Sequence, residues 1–234
     1  MPLASDVFRS YGGKGRWNRL TAFSAHVSIG GPLLGPGSAS PSGGRPLSRE
    51  FAIEGDPRSP SLKLFGSTDA DRYFLYRPNR LEIRSRRDAL ITGVDYPDAT
   101  LAGSANGRPL DEIERLFLIG NVLWNAIAGP FAGLLPGART VATGVGQLDI
   151  HLPHRADPLC PHRRLLIADD GIAHRCDYQM RHVHPGVLAD ILSAHASFNG
   201  ILIATLRRAR AIEADGRLGT NSLLDVEIFD VRFQ

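Results

Sequence analysis

The sequence predicts an α+β fold that is mainly β: a strongly curved antiparallel sheet, a half-barrel, wrapped around one buried helix that borders a hydrophobic cavity. Three observations predict it. Short apolar or alternating runs separated by turn residues fill Ser48 to Gly93. A single segment, Asp111 to Ala128, has helical periodicity. The apolar alternation of the last strand slips by one residue, as a bent strand requires. With 234 residues, 43% of them hydrophobic and 22% charged, the chain reads as one globular domain over 1–234.

In order along the chain, Gly30 to Pro46 is crowded with Gly, Pro and Ser, which favour open backbone, so it is expected to be a long mobile loop. The runs Phe51–Glu54, Leu62–Phe65, Tyr73–Tyr76 and Leu81–Arg84 follow, divided by Asp-Pro, Ser-Pro, Asp-Ala-Asp and Arg-Pro-Asn-Arg turns. They describe a meander of antiparallel strands. In the helix Ile113, Leu116, Phe117, Gly120, Leu123, Trp124 and Ile127 recur at three- and four-residue steps. Asp111, Glu112 and Glu114 occupy its first turn, and Gly129-Pro130 stops it. Leu118, Ile119 and Val122 widen the apolar surface beyond one stripe, so this helix is buried on most sides or lines a cavity. At the carboxy end Ile201–Glu213 and Leu224–Phe233 form a wide hairpin through Asp215-Gly216 and Gly219. Leu224, Val226 and Ile228 share one face; Phe229, Val231 and Phe233 continue it after the slip, which places a bulge near Ile228-Phe229.

Charge argues against a nucleic-acid partner. The balance is 27 basic to 24 acidic residues, +3 overall, and the densest basic run, Arg84-Ser85-Arg86-Arg87, sits beside a hairpin turn without interleaved aromatics. The most apolar run, Leu116 to Ala128, is too short for a membrane span, so no stable membrane insertion is expected. The segment Met1 to Arg19 is polar and Gly-rich, and the two cysteines, Cys160 and Cys176, form no disulfide framework; a cytoplasmic location with free thiols is the expectation.

Seven of the eight histidines lie between His151 and His195. The spacings His151-Leu-Pro-His154, Cys160-Pro-His162 and His182-Val-His184 contain neither Cys-x-x-Cys nor His-Glu-x-x-His, and prolines make the first stretch read as a flexible loop. No metal and no cofactor is expected. Glycine pairs such as Gly144-Val-Gly146 lack the strand-to-helix setting of a phosphate loop, and there is no Gly-x-Ser-x-Gly elbow.

The phrases Trp17-Asn18-Arg19-Leu20-Thr21-Ala22 leading into Ala25-His26-Val27-Ser28-Ile29-Gly30-Gly31, Phe117 to Trp124-Asn125 followed by Gly129-Pro130-Phe131, and Asp177-Tyr178 resemble an uncharacterised bacterial family. That family is similar in fold to the lipoprotein-carrier proteins, in which a curved antiparallel sheet with a helical lid encloses a hydrophobic cavity. The resemblance spans nearly the whole chain. The family's usual His-Asp-Tyr reads Cys176-Asp177-Tyr178 here, and Asp190 stands where the family carries a further histidine.

Two functions follow. One is a cytoplasmic, cofactor-independent isomerase, cyclase or lyase acting by acid/base chemistry on a small hydrophobic metabolite. His26, Asp177, Tyr178 and His195 then supply the proton-transfer groups, because rigid strands or their ends aim them. His26 acts as a base of lowered pKa if its side of the strand faces the cavity. Phe117, Trp124, Asn125, Cys176 and Asp190 contact the ligand. The alternative is a non-catalytic carrier of a hydrophobic ligand. Asp177 and Tyr178, as strand neighbours, face opposite sides, so only one of them can enter the cavity.

Overall fold

A computed structural model of the chain describes residues 3–35, 49–101 and 108–234. Helices α1 (Leu3–Ser10) and α2 (Lys14–Trp17) precede strand β1 (Phe23–Gly30) and a 3₁₀ turn at Pro32–Leu34. The first meander follows as β2 (Glu50–Asp56), β3 (Ser61–Gly66), β4 (Arg72–Arg77), β5 (Arg80–Ser85) and β6 (Leu90–Asp95). After α3 (Pro97–Thr100) and α4 (Glu112–Ala128), a 3₁₀ segment Gly129–Leu134 leads into β7 (Arg139–Gly144), β8 (Gln147–His151), β9 (His162–Ile167), β10 (Ala173–Gln179), β11 (Val187–Phe198), β12 (Ile201–Ala211) and β13 (Leu224–Phe233). Of the loop expected over 30–46, residues 30–35 close β1 and form the 3₁₀ turn, and the remainder lies outside the described residues.

The strands form one antiparallel sheet in the order β6-β5-β4-β3-β2-β1-β13-β12-β11-β10-β9-β8-β7. It is open, not closed into a barrel. Every neighbour is consecutive in sequence except β1 and β13, whose pairing joins two meanders into one sheet. Strands β6 and β7, consecutive in the chain, therefore stand at opposite edges, and the connection between them, which contains α4, has to cross the whole sheet. Accordingly α4 touches β3, β4 and β5 from the first meander and β12 from the second.

The helix begins where the acidic turn indicates. Asp111 accepts from the Glu114 backbone N–H at 2.9 Å, and the Glu114 carboxylate accepts from the Asp111 N–H at 2.9 Å, a reciprocal capping box. Leu116, Phe117, Leu123 and Trp124 are buried, and so is most of the rest of the helix. Gly120 allows the close approach to the sheet: a Cβ there would lie 2.4 Å from the Tyr76 ring. The helical stretch runs on to Leu134, giving 23 residues whose most apolar window has a mean hydropathy of 1.4. That is long and apolar enough to cross a membrane, which corrects the expectation drawn from Leu116–Ala128 alone. Because 83% of its most apolar window is buried inside the protein, these residues serve as a core helix.

The bulge in β13 sits later than the apolar pattern suggested. Ser24 and His26 of β1 face Arg232 and Phe229, so three steps on β13 match two on β1. Asp230 takes a left-handed conformation there, with φ 49°. Leu224, Val226 and Ile228 are buried before the bulge, Val231 and Phe233 after it, and Phe229 is exposed rather than part of the apolar face. The phrases that carried the family resemblance meet in space: the Trp17 ring stacks on Phe131 at 4.4 Å and meets Phe233 edge-on at 6.2 Å.

Two substitutions test this packing. Trp124→Ala is expected to cost about 3–5 kcal/mol in a denaturant titration, because a fully enclosed indole leaves an unfilled space. Gly120→Ala gains about 1 kcal/mol of helix propensity, yet the overlap with Tyr76 should turn it into a net loss of about 1–3 kcal/mol. A Gly120→Ala protein as stable as the parent would mean that α4 does not approach β4 this closely.

Candidate functional site

The chemistry-bearing interior lies between α4 and strands β9 to β13. Its centre is Asp157, a fully buried carboxylate in the loop between β8 and β9. Asp157 accepts from Asn121 Nδ2 at 3.0 Å, Asn125 Nδ2 at 2.9 Å, the Leu159 N–H at 3.2 Å and the Cys160 N–H at 2.7 Å. It also pairs with the buried Arg163 guanidinium. Asn121 Nδ2 donates further to the Tyr76 hydroxyl at 3.1 Å. A buried charge is tolerated only with such partners. The loop 152–161, read from its prolines as flexible, is instead held by this carboxylate, with Leu152, Ala156, Leu159 and Cys160 in the core. That is a correction, and its cause is one acid whose partners are distant in sequence.

A second buried ion pair lies across β11 and β12, where Arg207 Nε donates to Asp190 Oδ2 at 2.8 Å. Burial raises the Asp190 pKa, and the neighbouring Arg207 charge opposes that shift. Two cavities of about 30 Å³ each adjoin these pairs. Asn125, Arg163, Cys176 and Arg207 line both. That volume admits about one or two waters, so beside these ion pairs the described residues enclose two small chambers. Among the described residues, Asn125 Oδ1 and Arg163 Nε are buried without a hydrogen-bond partner, as is Trp124 Nε1.

The nine residues singled out from sequence divide as follows. Asn125, Cys176, Tyr178 and Asp190 line the second chamber together. Cys176 and Asp190, the two departures from the resembled pattern, are direct register partners on β10 and β11. Phe117 and Trp124 are buried core residues of α4, and neither borders a chamber. Asp177 and Tyr178 do face opposite sides. Asp177 is gripped by Arg175 through Nε–Oδ1 at 2.6 Å and a second bond at 2.9 Å, away from the chambers. His26 sits on the exposed side of β1, 3.7 Å from Asp230, so the condition for a buried base there is not met. His195 lies beside Tyr11, 3.5 Å from its hydroxyl, next to Ala194, whose φ of 51° twists β11.

Burial sets the protonation of the interior. It raises Tyr178 well above the ordinary phenol value and Cys160 well above that of a free thiol, and it takes Cys176 to about 12 and Tyr11 to about 12. It lowers His195. At neutral pH the phenols and thiols are therefore un-ionised, and His195 is a neutral imidazole. Sequence reasoning missed Asp157, Arg163 and Asn121. No motif flags them; only the rarity of Asn and Arg on otherwise apolar faces signals their burial.

On the opposite face of the second meander, Asp149, His151 and His162 place one ligand atom each within 4.8 Å of the others. Arg164 binds Asp149 through Nε–Oδ1 at 2.7 Å and a second bond at 3.0 Å. The Arg164 guanidinium holds the Asp149 pKa down to about 2 from an ordinary 3.8, with burial opposing and His162 adding to the shift. His154, three residues on from His151, faces Asp98 at 3.5 Å. The basic run near Arg84 is locally paired, Arg84 donating to Glu82 at 2.6 Å.

No known family's sequence profile matches the chain, and no curated protein matches it. Among solved structures it is similar in fold to a LolA superfamily protein from Nitrosomonas europaea, with a TM-score of 0.51 and 9% identity over 100% of this chain and 94% of that one. It also aligns, with a TM-score of 0.39 and 10% identity over 99% of this chain and 92% of the other, with a DUF1329 family protein from Desulfovibrio piger. The fold is LolA-like.

The Asp149 shift yields a pH dependence. Since the folded pKa lies below the ordinary one, the stabilisation is complete above pH 3.8 and drains as pH falls toward 2. Asp149→Asn should cost about 1–2 kcal/mol at neutral pH, allowing for solvent screening around the partly exposed Arg164. In thermal melts at a series of pH values, the gap between parent and variant should narrow below pH 4; a gap constant down to pH 2 would disprove the assignment.

Proposed function

We propose that this LolA-like chain is a non-catalytic binding protein for a neutral amphiphile, a small molecule with an apolar body and a hydrogen-bonding head. The observation that carries this is the pair of orphaned polar atoms, Asn125 Oδ1 and Arg163 Nε, on residues that line both interior chambers. One is an acceptor and the other a donor. The surrounding ion pairs, Arg163 with Asp157 and Arg207 with Asp190, already balance in charge. A head that both donates and accepts, such as a hydroxyl or primary amide, matches this pair better than an added charge does.

The apolar body belongs beside Val122, Leu192, Leu202, Leu224 and Val226. In this reading the sheet curves around α4 as a half-barrel, and a ligand larger than the chambers enters by parting α4 from β12 and β13. Support for binding over acid/base catalysis comes from the scatter of the proton-transfer candidates: His26, Asp177 and His195 line neither chamber. The thiols and phenols that do line them are held un-ionised by burial. Acid/base turnover retains one feature in its favour, the sharing of a chamber by Tyr178 and Asp190. A cytoplasmic setting, in which Cys160 and Cys176 stay reduced, belongs to the proposal and is open to test by cell fractionation.

The decisive experiment titrates the full chain with a pyrene-labelled long-chain alcohol and, in parallel, with the corresponding fatty acid. Saturable binding at micromolar concentrations, tighter for the alcohol, is expected, and the recovered ligand should be chemically unchanged. Val122→Phe, which fills the chamber from a partly exposed helix position, should weaken binding at least tenfold with an unaltered melting temperature. Absence of saturable binding by either probe, or equal binding by the folded Val122→Phe variant, would refute the reading; conversion of the probe would return acid/base catalysis to first place.

A further inference from the structure

We propose that Asp149, His151 and His162 form a binding site for one divalent first-row transition metal ion of the zinc class, on the face of the sheet turned away from the core. The site does not depend on any ligand in the interior. Asp149 and His151 alternate along β8 with the core residues Leu148 and Ile150, so both project from the outer face. His162 is the direct register partner of His151 on β9, which brings the two imidazoles together from the two ends of a ten-residue connection. Their rings lie nearly parallel, 19° apart, with centroids at 4.5 Å.

The donor geometry is close to that of a bound ion. All three ligand atoms lie within 4.8 Å of one another, and His162 Nε2 is 3.3 Å from Asp149 Oδ2. Zinc bonds of 2.0–2.2 Å in a tetrahedron require ligand atoms about 3.4 Å apart. An ion between these two atoms takes the place of the hydrogen bond, and the proton on Nε2 moves to Nδ1. Small rotations of the His151 ring, which stands at the exposed end of β8, supply the third bond. A carboxylate has lone pairs to spare for both Arg164 and a metal. Arg164, bonded to both Asp149 oxygens, and Thr143, whose hydroxyl lies 3.3 Å from Oδ1, orient the carboxylate as the outer shell of metal sites does.

Two imidazoles and one carboxylate suit zinc, nickel or copper better than magnesium or calcium. Three protein ligands leave a fourth position for water. The positive charges of Arg164 and of Arg139, the register partner of His151 on β7, oppose the cation, so the affinity belongs in the micromolar range and the ion is easily lost to chelators. The sequence concealed the site because its ligands straddle the 152–161 loop. The neighbouring motif residues do not contribute: Cys160 is in the core and His154 faces Asp98.

The full chain, stripped with EDTA and freed of chelator, is titrated calorimetrically with zinc chloride and, in parallel, with cobalt(II) read by visible absorption. One ion per chain at micromolar affinity is expected, with tetrahedral-type cobalt bands. His151→Ala and His162→Ala should each weaken zinc at least tenfold, whereas His182→Ala, a change at an exposed histidine outside the cluster, should not. Metal-free melting temperatures equal to the parent's establish that the surface variants fold. No saturation at millimolar zinc, or undiminished affinity in the double variant His151→Ala/His162→Ala, overturns the proposal.

Discussion

The fold turns on a single buried carboxylate. Strands β6 and β7 are neighbours in sequence and opposite edges in space, so the chain between them must cross the sheet, and α4 makes that crossing. An apolar helix packed on an apolar sheet has little to set its register. Asp157 sets it: its oxygens take donors from Asn121 and Asn125, one turn apart on α4, from two backbone N–H groups of its own loop, and from Arg163 on β9. Each of these groups would be costly to bury alone. Together they specify one position of the helix against the second meander, while Gly120 against Tyr76 specifies its approach to the first.

The two faces of the second meander illustrate how alternation divides chemistry. On β8 to β11 the inward residues build the core and the chambers: Ile150, Arg163, Leu165, Cys176, Tyr178 and Asp190. The outward residues form rows of charge in which Asp149 meets Arg164 and Arg175 meets Asp177. The same strands thus carry a buried, charge-balanced interior and a solvent-facing exterior of charged and histidine side chains. Histidine clustering belongs to the exterior. His151 and His162 stack there, His174 and His182 are exposed, and His195 is drawn partly inward, against Tyr11.

This division bears on function. Acid/base chemistry needs groups that change protonation near neutrality and reach a common ligand. In this chain the groups that reach the chambers are pinned by burial or by ion pairing, while no histidine lines either chamber. What the interior offers is shape, apolar wall and two unmatched hydrogen-bonding atoms, which are means of holding a molecule.

The sequence by itself determined the local elements. Apolar spacing and turn chemistry located β2 to β5, α4 with its capped start, β10 ending at Asp177-Tyr178, and the hairpin of β12 and β13, because each of these signals acts over a few residues. It also implied a bend in the last strand but placed it one to two residues early, since Phe229 continues the hydrophobic pattern although Asp230 is the residue that tolerates the left-handed conformation. Tertiary structure alone decided that β1 pairs with β13, that α4 joins opposite edges, that the loop around Asp157 is interior, and that His26 faces outward. Those outcomes depend on partners 30 to 200 residues away. A side chain's burial and charge state follow from what packs against it, which no local pattern encodes.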